Sequence, residues 1–520
     1  MNRMAAVSLF VGILAQVVAA PARCEAAEGP QGHSSVTMYM RENAPGTPRL
    51  EDLPLRESVS EHGITWTFEK PARVGQFVTG SWYVVGPVTI AKIDPAPTYG
   101  ENARNGSVLN IPVTDRNASG FDSRVHDGRY KASLAAKLPL TMKPGDALIS
   151  TISMPEGAKP QEPSGGGTQS GSPVLSACVL TCLAAPAPAD AFRPGYCDRT
   201  QTIRLARNLR RELLPRLPYG KDTFAWPMMG GIWNGKKATT AEDWADRYAR
   251  PWLEICWFNF DAALAYQPGY GHIEARMGSM VSLILATDLP AERKERLLLN
   301  YVQHGLDLYS IARAGYYGWA AFGGHGSARK WPIVLAGMML GDEDMATPNK
   351  SCPNCLFGED MQTMYGKGWT GATVVFGGHM YGSPLSFWQA NPGSKEGDKD
   401  GGPYEHKAPK DWVSWNHQSE SYRRCCTGNS WVGYALVAQL MKAEKYWAHD
   451  AFFDYVDRWM YEDQGPILEE LNKVCTERGW KVFKDGRGPG RRASEAFVNE
   501  MWEKYRPMVE KPTDGWKKAR

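Results

Sequence analysis

GSMVSLILA (278–286), followed after a three-residue break by PAERKERLLLNYVQHGLDLYSIARA (290–314), decides the fold of this chain. The first segment is apolar nearly all round, so it reads as a helix buried on every side. The second places Leu297, Leu298, Tyr301, Val302, Leu308 and Tyr309 on one helical face and charged residues opposite, so it reads as an outer helix. Asp288 is placed to cap its start, and Pro290 suits its first turn. The same pairing recurs downstream. SWVGYALVAQLM (430–441) is apolar and small, YWAHDAFFDYVDRWMYED (446–463) is amphipathic, and WPIVLAGMML (331–340) is another inner helix. Inner apolar helices alternating with outer amphipathic ones predict antiparallel helix pairs arranged as an (α/α) toroid over 200–465, with a helical bundle as the plainer alternative.

Upstream the period changes. Ile64, Trp66 and Phe68 alternate with Thr65, Thr67 and Glu69, as in a half-buried strand. FVTGSWYVVGPVTIAKI (77–93) and GDALISTISM (145–154) are β-branched and bounded by Gly and Pro. These features predict a β-sandwich-like domain over 35–199, so the fold class is α+β and multidomain, with a helical extension over 466–520. Residues 1–27 carry Arg3, an apolar run and then small residues, the order of a signal peptide. The expected mature protein is therefore secreted or periplasmic, with no membrane segment left after cleavage.

The chain has 520 residues and a net charge of +3. A near-balanced surface argues against nucleic acid as the partner, since phosphate binding needs a concentrated basic face. The Cys352-Pro-Asn-Cys355 spacing resembles half a zinc site, but no second half follows, which predicts a local disulfide or two buried thiols. No metal and no cofactor are expected. His272-x-Glu274 could offer two ligands, with nothing nearby to complete a set.

The loops that feed the inner helices share one composition of aromatic, glycine, histidine, amide and arginine. Segment 224–237 holds Trp226, Trp233 and Asn234, and 266–279 holds Tyr270, His272, Glu274 and Arg276. GYYGWAAFGGHGSARKW (315–331) holds Tyr316, Tyr317, Trp319, His325, Arg329 and Lys330. Segment 374–388 holds His379 and Tyr381, and 412–426 holds Trp415, Asn416, His417, Tyr422, Arg423 and Arg424. Aromatic faces stack on sugars, amides and arginines bind hydroxyls and carboxylates, and glycine admits close backbone approach. Any one of these residues alone would be read as ordinary packing. Their recurrence at corresponding places predicts a carbohydrate cleft.

An exported chain with a β domain, a helical toroid and a His/Tyr/Arg/Asn cleft resembles the (α/α)-toroid polysaccharide lyases, including those acting on alginate and glucuronan. The resemblance covers about 220–465 and is one of architecture and residue types; the β domain precedes the toroid, whereas many such lyases carry it after. It implies β-elimination on an anionic, uronate-containing polysaccharide. That reaction needs a group to stabilise the uronate carboxylate, a base for the C5 proton and an acid for the leaving oxygen. On this reading Tyr317 and His325 are the proton-transfer pair, with His272 the second choice for base. Arg329 is the carboxylate stabiliser, with Asn234 or Asn416 as clamp, and its place at a helix start calls for an anionic ligand to offset the helix dipole. Trp233, Tyr316, Trp319, His379, Tyr381, His417, Tyr422 and Arg423 would contact substrate. Two other classes stay open. A glycoside hydrolase would use two carboxylates from among Glu254, Asp261, Glu274 and Glu420. A glycan-binding protein would keep the aromatic platform without convergent proton-transfer groups.

Overall fold

The computed structural model describes residues 36–113, 118–157, 171–224, 240–256, 259–321, 323–377, 405–412, 420, 423–483 and 493–517. The expected leader lies outside them. The first part of the chain is a curled β-sheet and the rest a helical region, so the class is α+β. Eight strands form one sheet: β1 (Leu55–Glu61), β2 (Ile64–Gln76), β3 (Trp82–Val85), β4 (Val88–Asp94), β5 (Ser107–Leu109), β6 (Leu140–Met142), β7 (Ala147–Ser153) and β8 (Val174–Leu183). The order is β5-β7-β8-β3-β2-β4-β6, with β1 also paired to β2.

Two packed sheets were the expectation, and one curled sheet is the finding. The reason lies in the long strand β2. Its first half, Thr65–Phe68, pairs with β4, and its last three residues, Val74–Gln76, pair with β3. One strand thus joins the two halves of the sheet and curls it around a core of Val59, Ile64, Trp66, Phe68, Val74 and Ile90. The alternation of Ile64, Trp66 and Phe68 is as expected, because those three side chains fill the inside of the curl.

Strand β8 is buried on both faces. Cys178, Leu180 and Cys182 point into the sheet core, while Ala177 and Val179 join the helical core. A strand covered on both sides reads as a continuous apolar run rather than an alternating one. VLSACVLTCL is such a run.

The helices are α1 (Ala241–Arg247), α2 (Gly271–Ala286), α3 (Ala291–Arg313), α4 (Lys330–Leu340), α5 (Gly428–Leu440), α6 (Asp450–Tyr461), α7 (Gln464–Glu477) and α8 (Ala496–Tyr505), with shorter turns between them. Helices α2, α4 and α5 are buried along almost their whole length, as their composition predicts. Helix α5 packs on α2, and α4 packs on α3. Among the described residues no helix is long and apolar enough to cross a membrane.

Helix α3 departs from expectation. It is buried from Leu297 to Ala312, not laid on the outside. Several of its polar side chains find partners inside: Asp307 holds Arg193 at 2.6 Å, Gln303 donates to the Arg193 carbonyl at 3.0 Å, and Asn300 donates to the Ala245 carbonyl at 3.0 Å. A buried polar group costs little once its hydrogen bonds are made, so a half-polar face can turn inward. Asp288 does not cap this helix either. It accepts from the Tyr219 N–H at 3.2 Å, and Pro290 occupies the N-cap.

Close contact between α3 and α4 depends on Gly305, where a Cβ would land on the Pro332 carbonyl oxygen and within 2.7 Å of the Ala336 methyl. Alanine gains ~1 kcal/mol of helix propensity over glycine, but overpacking against backbone costs ~1–3 kcal/mol. Gly305→Ala is expected to lower the urea unfolding midpoint at unchanged m-value. A raised midpoint would mean that α3 and α4 do not approach this closely.

Candidate functional site

The glycine-rich stretch 315–329 leads into α4, and its side chains meet the starts of α2 and α5. Tyr270 is the N-cap of α2, and its backbone carbonyl accepts from the N–H groups of Ile273 and Glu274. Its ring lies edge-on to His325, centroids 4.5 Å apart, and 5.8 Å from His272. The Tyr270 hydroxyl accepts from the Gly324 N–H at 3.3 Å. A carbonyl can only accept, so the 2.9 Å contact between His272 Nδ1 and the Cys426 carbonyl places a proton on Nδ1. In a neutral ring that directs the lone pair to Nε2.

Two glycines permit this convergence. A Cβ on Gly271 would strike the His325 carbonyl oxygen, and one on Gly324 would lie 2.8 Å from the His272 Cβ. Elsewhere in the stretch, Ala328 adopts φ +81°, where glycine is favoured, and its N–H is held by Glu359 at 2.7 Å. Such conformations persist where surrounding contacts over-determine them.

Beneath the aromatic cluster lies Arg329, 1% exposed. Its Nε and Nη2 donate to Glu254 at 2.9 and 2.8 Å, and Nη2 also meets Glu274 at 2.8 Å and Asn259 Oδ1 at 3.0 Å. Nη1 donates to the backbone carbonyls of His325 and Ser327 at 2.9 and 2.6 Å. Glu254 also accepts from Gln267 at 2.9 Å. The anion that this helix start calls for is therefore internal, and the expected uronate stabiliser is committed to its own chain. Lys330 beside it is equally occupied, buried and paired with Asp360. Glu359 and Asp360 thus complete a local set of counter-charges.

Two glutamates on one guanidinium leave a surplus negative charge in a site closed to water. Burial, and then the Glu254 carboxylate against the partial relief of Arg329, raises the Glu274 pKa well above its ordinary 4.5. The site therefore favours the neutral form of Glu274. His325 is kept neutral: burial, and secondarily the Arg329 cation, lowers it to about 3.

Tyr316 and Trp319 are packed rather than displayed. They are 2% and 6% exposed, with ring centroids 5.4 Å apart, and Trp319 Nε1 donates to the Glu254 carbonyl at 2.9 Å. That burial removes them as an open sugar platform. Tyr317 is half-buried and edge-on to Tyr316 at 5.1 Å, so it stands with this second group.

Arg423 is buried against Glu420 at 2.6 Å and Glu405 at 3.3 Å, and Arg424 also binds Glu420. Burial alone would raise the Glu420 pKa, but the two arginines outweigh it and bring it to about 2. These cations, too, are neutralised within the chain. Trp226, Trp233, Asn234, His379, Tyr381, Trp415, Asn416, His417 and Tyr422 lie outside the described residues.

The structure thus brings together His272, His325 and Arg329 with Tyr270 of the expected cleft and Glu254 and Glu274 of the hydrolase alternative, and adds Asn259 and Gln267. Neither glutamate has room for a sugar, since both side chains are at most 2% exposed. Cys352 and Cys355 are buried free thiols, and among the described residues no group of three His, Cys, Asp or Glu is placed to hold a metal. The sequence matches no protein-family model, no curated protein and no solved structure.

Because the folded pKa of Glu274 lies above its unfolded value, the stability that this group supplies is complete below pH 4.5 and is lost as pH rises through the folded value. Glu274→Gln, which mimics the protonated acid, should fold and should flatten that decline in melting temperature. Arg329→Ala, which strands buried carboxylates, should cost ~3–5 kcal/mol. An unchanged pH profile in Glu274→Gln would show that Glu274 is ionised in the fold.

Proposed function

We propose that this protein is a polysaccharide lyase that cleaves an anionic, uronate-containing glycan by β-elimination on an (α/α)-toroid scaffold. The observation that carries the reading is the Tyr270–His272–His325 cluster, three proton-transfer side chains held at the converging helix starts. His272 acts as the base. Its Nδ1 proton is anchored to the Cys426 carbonyl, so Nε2 carries the lone pair that takes the C5 proton. Tyr270 acts as the acid for the leaving oxygen, with its own oxygen fixed by the Gly324 N–H. His325, neutral and stacked edge-on to Tyr270, orients that ring.

Arg329 takes a positioning part. By holding the His325 and Ser327 carbonyls it keeps the loop folded against the start of α2. Asn234 and Asn416 stay the candidates for the carboxylate clamp. A glycoside hydrolase built on Glu254 and Glu274 is the weaker reading, because both carboxylates are enclosed and share one guanidinium. The proposed protein is exported, and its partner is the glycan.

The test is ultraviolet absorbance of unsaturated uronate ends on a panel of glucuronan, alginate, pectate, ulvan and glycosaminoglycans, with new reducing ends counted in parallel. Absorbance should rise on at least one polymer. His272→Gln and Tyr270→Phe should each lower kcat by ~10²-fold or more, the scale of general acid–base catalysis. New reducing ends without absorbance would replace elimination by hydrolysis. Full activity in both variants would move the chemistry elsewhere.

A further inference from the structure

Cys425 and Cys426 are joined by a disulfide, the one disulfide among the described residues. A bridge between neighbours encloses no chain segment, so it removes almost none of the unfolded-state entropy that makes longer bridges stabilising. Its value to the protein must be local. The pair lies within a single π-helical turn, Arg423–Thr427, that opens α5. Such turns recur at functional sites.

Two properties of this turn stand out. On its inner side Arg423 and Arg424 are clamped by buried Glu420, so that side is fixed. On its outer side Cys425 is exposed and Cys426 half-buried, whereas the seven other described cysteines are buried. Burial also holds the thiols of Cys182 (about 12), Cys197 and Cys355 well above their ordinary value, which denies them thiolate character. Among the described residues a soluble thiol therefore meets one accessible sulfur pair. The backbone carbonyl of that same pair accepts the His272 Nδ1 proton and lies against Gly324.

We infer that Cys425–Cys426 is a thiol–disulfide exchange site for low-molecular-weight thiols, and that its reduction releases the carbonyl which orients His272. The incoming thiolate bonds to the exposed Cys425 sulfur, the sulfur–sulfur bond breaks, and Cys426 leaves as a thiolate that takes a proton. A second thiol then attacks the mixed disulfide. Two thiols are oxidised to their disulfide, and the pair gains two electrons and two protons. The turn, no longer closed on itself, can move its Cys426 carbonyl away from α2.

The test is independent of any enzymatic activity. Native full-length protein is treated with reduced glutathione, alkylated and mapped by mass spectrometry, with hydrogen–deuterium exchange followed in parallel. Cys425 and Cys426 should be labelled only after glutathione, and the other described cysteines only after denaturation. Amide exchange over 271–276 and 323–327 should rise about fivefold, the scale of one lost hydrogen bond, while α3 stays unchanged. A folded Cys425→Ser should match the reduced state without glutathione, and if it does not fold, the wild-type arm decides alone. Labelling of the pair before glutathione, or reduction with no change in exchange, would overturn the inference. If the exchange behaves as expected but no glycan is cleaved, the redox site stands and the lyase reading falls.

Discussion

Arg329 is the residue on which the described site depends. A guanidinium removed from water is tolerable only when its charge and its donors are matched. Here the donors reach two glutamates, an asparagine and two backbone carbonyls, drawn from the segment before α2, from α2 itself and from the loop before α4. One side chain therefore sets the distance between elements far apart in sequence. It also fixes the loop carbonyls against the start of α2, which is why glycine stands at position 271. The consequence of this arrangement is a Glu274 carboxyl whose pKa is pushed above its ordinary value by burial.

The same logic recurs through the helical region. Arg458 binds Glu405 and Glu462, Arg506 binds Asp457, and Arg276 binds Glu495, each pair almost wholly buried. Pairs of this kind add little net stability over apolar packing, but removing one partner is severe. Arg276 with Glu495 ties α2 to the N-cap of α8, and Arg506 with Asp457 ties the end of α8 to α6, so these two pairs fix how helices meet. The sequence permits this because its helices mix acids, bases and amides into faces that are otherwise apolar.

Much of the helical region was legible because α2, α4 and α5 are apolar all round, and such segments have one place to go. Helix α3 was misread for a physical reason: its Asn300, Gln303 and Asp307 find partners in Arg193 and Ala245, and partnership across the chain leaves no periodic trace. The strands were legible from period-two alternation, but the curl was not, since it rests on β2 changing neighbours midway. Composition pointed to His272, His325 and Arg329 as a group. It could not show that Arg329 is spent on Glu254 and Glu274, because an arginine awaiting a ligand and one already paired look alike in one dimension. Nor did adjacent cysteines announce themselves beside a histidine more than a hundred residues away.

Strand β8 carries a consequence of a different kind. With one face in the sheet core and the other among the helices, it is common property of both regions. A recombination event that transplanted the helices alone would carry off a bare seam where Ala177 and Val179 had lain. The sheet taken alone would present the opposite side of the same wound. The two regions are therefore not interchangeable modules. Insertions and rearrangements would be tolerated in loops remote from that strand, and lineages of this protein would be expected to gain or lose the two regions together.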